Sequence, residues 1–199
     1  MQTEVKFAGF GGQGILLAGK FLTLAGMEEG KEVAWIPSYG PEMRGGTAYC
    51  TVVIADRPIG SPIVNNPTHL VAMNRPSLEK FSPFIKSKGL IVINSSLIPI
   101  TSGRSDLTEV LVPCNQIAID IGNPKGANMV ILGAYVACSE VVSFKMIEKI
   151  VREEFSKKPK FIDINLTALN KGAEAALAYM ENKCRGVQLN TPTKMENTR

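Results

Sequence analysis

The first thirty residues alternate and then cluster their apolar positions in a pattern that predicts a strand, a turn and a helix. Gln2 to Gly9 reads as a strand, with Val5 and Phe7 at alternate positions followed by small residues. From Ile15 to Glu29 apolar residues recur on nearly every side of a helix, through Phe21, Leu22, Leu24 and Ala25. Only Lys20, Thr23 and Glu28 make a polar stripe, so this helix is expected to be covered on most sides. Gly30 follows as a stop signal.

Further along, Val33–Ile36 reads as a short second strand and Pro37–Gly46 as a loop rich in proline and glycine. The run from Thr47 to Asp56 is a longer strand that ends in a turn at Asp56-Arg57-Pro58. No helix separates these two strands, so they cannot be a parallel crossover pair, and the sheet is expected to be mixed. Leu70–Met73 and Leu90–Ile93 are strands on either side of a helix over Ser77–Lys86, which Pro83 shortens or kinks. Val110–Val112 and Ile117–Ile119 are further strand candidates.

Three helical patterns close the chain. One from Ala127 is apolar all round, and its Gly133, Ala134 and Ala137 permit close approach of a neighbour. Ser143 is placed to cap the next, with Phe144, Ile147, Val151 and Phe155 on one stripe. Asn165 is placed to cap the last, with Leu169, Ala173, Leu177 and Met180 toward the core. The expectation is one α/β domain over residues 1–186, a three-layer sandwich around a mixed, mostly parallel sheet with a glycine-rich turn after the first strand. A polar tail from Val187 is expected to be disordered.

Composition narrows the function. The 199 residues carry 22 Lys and Arg against 18 Asp and Glu, a net charge of +4. These charges are dispersed and not interleaved with aromatics, which argues against nucleic acid. Cys50, Cys114, Cys138 and Cys184 share no short spacing, so neither a zinc site, a redox pair nor an iron–sulfur ligand set is expected. The single histidine, His69, follows Pro67-Thr68 and is expected to be structural, and Cys50 to be a small core residue. No run is long and apolar enough to span a bilayer and none reads as a signal peptide, so a cytoplasmic protein with reduced thiols is expected. Mean hydropathy of +0.08 leaves two readings equally open, a well-filled core or apolar surface that meets other chains.

"GFGGQG" from Gly9 to Gly14 lies between a strand and a helix, the setting of a phosphate-binding turn. Glycine lets backbone N–H groups approach an anion closely, and the helix start adds partial positive charge. A dinucleotide site also wants an acid at the end of the second strand, and "VAWIPSYG" supplies none. No Gly-Lys-Ser/Thr follows, which removes the P-loop reading. Spacing alone leaves an anion-binding turn and a bare structural bend both open. In "SYGPEMRGG", Arg44 beside Gly45 and Gly46 offers a fork for carboxylate or phosphate, against an ordinary surface pairing with Glu42.

Four stretches in order, "GFGGQGILLAGKFL" at Gly9, "SYGPEMRGGTAYCTVVIAD" at Ser38, "PIGSPIV" at Pro58 and "GNPKGANMVILGA" at Gly122, resemble the gamma subunit, or gamma domain, of 2-oxoacid:ferredoxin (acceptor) oxidoreductases. The resemblance covers the chain to about residue 180 and is most like the 2-oxoglutarate branch. It implies a cytoplasmic complex that converts a 2-oxoacid and coenzyme A to acyl-CoA and carbon dioxide, passing two electrons to ferredoxin or a similar acceptor. It implies that thiamine diphosphate, magnesium and iron–sulfur clusters belong to alpha, beta and delta-type partner subunits, and that this chain is inactive alone. The absence of a Gly-Asp-Gly segment and of a CxxCxxC run agrees with that division.

Carried over by motif, Gly11, Gly12, Gln13 and Gly14 are expected to form a backbone cradle for an anionic group of coenzyme A or the cofactor. Ser38, Tyr39, Arg44, Gly45 and Gly46 are expected to form a second wall, with Arg44 as the charged contact. Asn128 is a candidate ligand contact or a first-turn residue of its helix. No catalytic or metal-binding residue is assigned to this chain. The alternatives are a pyruvate or branched-chain 2-oxoacid enzyme, a stand-alone Rossmann-like nucleotide-binding protein, and a module that only assembles other subunits.

Overall fold

The computed structural model describes residues 1–38, 47–185 and 193–194. Its centre is a six-stranded sheet built from β1 (Gln2–Phe10), β2 (Glu32–Ser38), β3 (Thr47–Ala55), β4 (His69–Ala72), β5 (Leu90–Asn94) and, after the short β6 (Ile100–Thr101), β7 (Thr108–Val112). The spatial order is β2-β3-β1-β4-β5-β7. β1, β4, β5 and β7 run parallel, while β3 is antiparallel to both β1 and β2. The mixed sheet inferred from the missing crossover helix is therefore present. β6 pairs in parallel with the two residues of β8, Thr193–Lys194. The rest of the polar tail lies outside the described residues.

Side-chain alternation on the strands sends two apolar sets to opposite faces. On one face Val5, Phe7, Val52, Ile54, Val71, Val92 and Val110 pack under α1 (Ile15–Glu28) and under helices from the second half of the chain. On the other, Ala8, Leu70, Ala72, Ile91 and Ile93 pack against Leu78 and Phe81 of α2 (Arg75–Phe81). Asn74 caps α2, its Oδ1 accepting from the Ser77 N–H at 2.8 Å, with Pro76 in the first turn where no backbone donor is needed. The helix therefore begins before Ser77 and passes into a 3-10 turn at Ser82–Phe84, where Pro83 ends the α-helical ladder.

Ile117–Ile119 is not a strand. It lies in α3 (Cys114–Asp120), which starts at Pro113. Groups distant in sequence supply its start: Asn94 Oδ1 accepts from Cys114 N at 3.2 Å, and Ser96 Oγ accepts from Asn115 and Gln116 N at 3.2 Å each. Those partners stand about twenty residues upstream and could not be read from the local apolar pattern.

α4 (Ala127–Ser139) and α6 (Ile162–Cys184) pack backbone to backbone. A Cβ on Gly133 would overlap the Leu169 carbonyl, and one on Gly172 the Val130 carbonyl. Between them α5 (Phe144–Glu154) is capped by Ser143, whose Oγ accepts from Met146 N at 3.3 Å. Asn165 does not cap α6. The helix starts a turn earlier, at Ile162, and Asn165 Nδ2 donates back to the Phe161 carbonyl at 2.8 Å. Leu177, expected inside, is 47% exposed because the buried stripe of α6 runs through Leu169, Gly172, Ala173 and Ala176, and Leu177 lies beyond its edge.

Candidate functional site

The glycine turn stands at the carboxyl end of β1, where parallel strands leave room for ligands. From there α1 lies over β2 and β3 on one face, whereas α2, following β4, lies on the other. The connections leaving β1 and β4 thus pass to opposite faces of the sheet, the topology at which open α/β sheets carry a crevice. Gly12 and Gly14 have φ of 98° and 72°, a region that side-chain-bearing residues enter only at a cost. A Cβ on Gly12 would meet none of the described residues within 4 Å. Gly14 precedes α1, and its carbonyl accepts from Ala18 N at 3.1 Å. No side chain caps α1 and no acid lies in its first turn. A helix start of this kind presents N–H groups without an intrahelical partner and a partial positive charge.

The side chains of Gln13, expected to lend its backbone to the cradle, and of Asn128, a candidate ligand contact or first-turn residue, hold the turn. Gln13 Oε1 accepts from Phe10 N at 2.6 Å, and its Nε2 donates to the Met73 carbonyl at 3.2 Å. Gln13 thereby ties the end of β1 to the end of β4. Asn128, in the first turn of α4 and 7% exposed, donates from Nδ2 to the Gly14 carbonyl at 3.3 Å. It fills the space a Cβ on Gly14 would need, 2.5 Å from that position. Both residues fix the shape of the glycine turn with their side chains.

Ser38 ends β2, half-buried, opposite Tyr49, which in turn faces Ala8 on β1. The second wall thus departs from the same end of the sheet as the glycine turn, two strands away. Tyr39, Arg44, Gly45 and Gly46, together with Glu42, lie outside the described residues. Sequence reasoning missed Asn74 and Ser77, which begin α2 beside the crevice. Asn74 Nδ2 and Ser77 Oγ are buried and have no hydrogen-bond partner among the described residues. An unmet buried donor costs about 1–3 kcal/mol, so these groups are candidates to be satisfied by a bound molecule. The signal available in sequence was the cap pattern of Asn74 before Arg75-Pro76.

His69 and Cys50 take structural places. His69 Nδ1 lies 3.0 Å from the Tyr135 hydroxyl, at the opposite end of β4 from the crevice. Burial lowers the His69 pKa to about 4 against a smaller opposing pull from Glu4, so the ring is neutral near pH 7. Cys50 is fully buried, its Sγ 3.8 Å from the Ile15 carbonyl, and burial pushes its thiol up to about 12. No thiolate is available there for chemistry. Among the described residues, no group of three or more His, Cys, Asp or Glu could hold a metal ion. Among them, too, no helix is long and apolar enough to cross a membrane.

β2 does not adjoin β1, because antiparallel β3 lies between them. A dinucleotide fold places those two strands side by side and hangs the ribose-binding acid on the second. The arrangement here lacks that geometry.

A model of the family described as pyruvate ferredoxin/flavodoxin oxidoreductase matches residues 4–175. Ketoisovalerate oxidoreductase subunit VorA of Methanothermobacter marburgensis is 38% identical over 183 residues, 92% of this chain but only 38% of that protein. 2-Oxoglutarate synthase subunit KorC of Methanocaldococcus jannaschii is 36% identical over 179 residues, 88% of this chain and 95% of that one. Among solved structures, the gamma subunit of a keto/oxoacid ferredoxin oxidoreductase from Geobacter sulfurreducens superposes with a TM-score of 0.79 at 32% identity, covering 90% of this chain and 98% of that chain. A mixed sheet with a glycine turn at the end of β1, matched over this length, makes the chain a member of the pyruvate ferredoxin/flavodoxin oxidoreductase family with the fold of a gamma subunit.

Proposed function

We propose that this chain, over residues 1–186, is the gamma subunit of a cytoplasmic multi-subunit 2-oxoacid:ferredoxin or acceptor oxidoreductase and helps bind coenzyme A. The observation that carries this reading is the open glycine turn ahead of an uncapped, acid-free helix start. Backbone N–H groups there suit the phosphate oxygens of coenzyme A. Gly11 and Gly12 offer the approach, Gly14 leads into α1, and Gln13 and Asn128 hold the geometry from outside. Ser38, Tyr39, Arg44, Gly45 and Gly46 supply the second wall, with Arg44 pairing to a phosphate or to the 2-oxoacid carboxylate.

Alpha, beta and delta-type subunits carry thiamine diphosphate, magnesium and iron–sulfur clusters, and the isolated chain is inactive. Exposed apolar side chains such as Met27, Trp35 and Phe84 are suited to contact with those chains. For the substrate we favour 2-oxoglutarate, on the wording of the "SYGPEMRGG" segment and the 36% identity to KorC. The 38% identity to VorA supports a branched-chain 2-oxoacid as the second reading.

Anaerobic purification of the tagged chain from its own cells, followed by a viologen-reduction assay, tests this. Co-purifying thiamine- and iron–sulfur-binding chains, with turnover that requires coenzyme A and a 2-oxoacid, is the expected result. Comparing 2-oxoglutarate, pyruvate and 3-methyl-2-oxobutanoate then decides the substrate. A chain that remains alone after gentle handling, or a complex indifferent to coenzyme A, refutes the proposal.

A further inference from the structure

On the face of the sheet opposite α1, α2 packs against β4 and β1, and its Phe81 reaches Tyr49 on β3. A cavity of about 630 Å³ opens there, under the segment that follows β3. That size lies within the range of small-molecule sites. Its wall includes Lys6, which points from the middle of β1 and is only 9% exposed.

The Lys6 ammonium sits 4.9 Å from the centre of the Tyr49 ring and 4.6 Å from that of Phe81. Ring faces attract a cation but accept none of its strong N–H hydrogen bonds. No acid or hydrogen-bond acceptor pairs with Lys6 among the described residues. The one acid on its face of β1, Glu4, is already engaged: Lys86 Nζ lies 3.1 Å from Oε2, and Gln2 Nε2 donates to Oε1 at 2.9 Å. Lys80, also on the cavity wall, adds a second positive charge near Lys6. Burial, with Lys80 adding repulsion and Tyr49 opposing it, holds the Lys6 ammonium below the usual lysine range. A bound anion would reverse that shift. The remaining wall is apolar at Ile36 and Phe84, and Thr51 brings a hydroxyl.

We propose that this cavity binds a small amphipathic anion, a carboxylate or phosphate monoester on an apolar or aromatic body, with Lys6 as its charge partner. The anionic oxygens take the unmet N–H groups of Lys6, and the body lies against Ile36, Phe84 and the aromatic rings. The site uses none of the glycine-turn residues; it shares Ser38 with the coenzyme A reading, while Lys6, its charge partner, belongs to neither wall of that reading.

Calorimetric titration of the full chain with phenyl phosphate, phenylacetate and neutral benzyl alcohol tests the proposal. Saturable binding of at least one anion, tighter than benzyl alcohol, is expected. Whichever of the two anions wins identifies the head group. Lys6→Met should weaken that anion by about tenfold to a hundredfold, as for loss of a charged hydrogen bond. The amide NMR shifts that follow the titration should map to Lys6, Thr51 and Tyr49, a readout that needs no variant if Lys6→Met fails to fold. Anions that bind no better than benzyl alcohol, shifts that map elsewhere, or a folded Lys6→Met with unchanged affinity would each overturn it.

Discussion

Gln13 has a side-chain role that the motif did not assign, and its replacement gives the sharpest test. Its side chain makes two hydrogen bonds, 2.6 Å from Phe10 N and 3.2 Å to the Met73 carbonyl, and so bridges two strand ends. Each half-buried hydrogen bond contributes about 1 kcal/mol net. Gln13→Met keeps the bulk of the side chain and makes neither bond, so a loss of about 2 kcal/mol is expected. For a domain of this size that lowers Tm by about 4–8 °C. Gln13→Ala should fall by a similar amount, since the side chain contributes bonding rather than buried apolar area. Thermal denaturation followed by circular dichroism reads the loss. Amide exchange of the peptide spanning the turn should rise in both variants, while the α4–α6 pair stays protected. A Gln13→Met protein that melts within 1 °C of wild type, with unchanged exchange at the turn, would refute the bracing role.

Other outcomes follow from the same geometry. Gly172→Ala drives a methyl group into the Val130 carbonyl between two helices that have no room to part, and should cost about 3 kcal/mol in urea denaturation. A wild-type midpoint would show that α4 and α6 are less closely packed. His69 is the only histidine, so its NMR titration is free of overlap, and its midpoint is expected near pH 4 rather than 6.5. The unfolded chain then binds more protons than the folded one between those values. Stability present above pH 6.5 is lost as pH falls toward 4, by about 2 kcal/mol between pH 7 and pH 5. A midpoint at 6.5 would contradict the burial of the ring. In the assembled enzyme, Arg44→Ala should raise the apparent KM for coenzyme A or the 2-oxoacid about tenfold. Unchanged kinetics in an intact complex would remove Arg44 from the site.

Much of the fold was legible in the order of residues because its signals are local. The strand, glycine turn and helix from Gln2 to Glu28 follow from period-two and near-continuous apolar runs separated by residues that permit positive φ. The antiparallel β2–β3 pair follows from a connection too short to hold a crossover helix. Ser143 caps α5 through its own third neighbour, so that cap needed no tertiary information.

What the sequence could not decide depended on partners far along the chain. Ile117–Ile119 looked extended because two alternating isoleucines fit a strand, but Asn94 and Ser96 satisfy the start of a helix there. The α6 start moved from Asn165 to Ile162 because Asn165 bonds backward to Phe161 inside the helix. At the site, the motif marked Gln13 and Asn128 as important without saying how. Hydrogen bonds to Met73 and Gly14, 60 and 114 residues away, assign their side chains to holding the turn. Nothing in the local sequence marks Lys6, and only the closure of Tyr49 and Phe81 around it makes it a buried charge without a partner among the described residues. Periodicity is set by the backbone and travels with the sequence, whereas pairing of polar groups is set by which strands become neighbours, and that is fixed only when the sheet assembles.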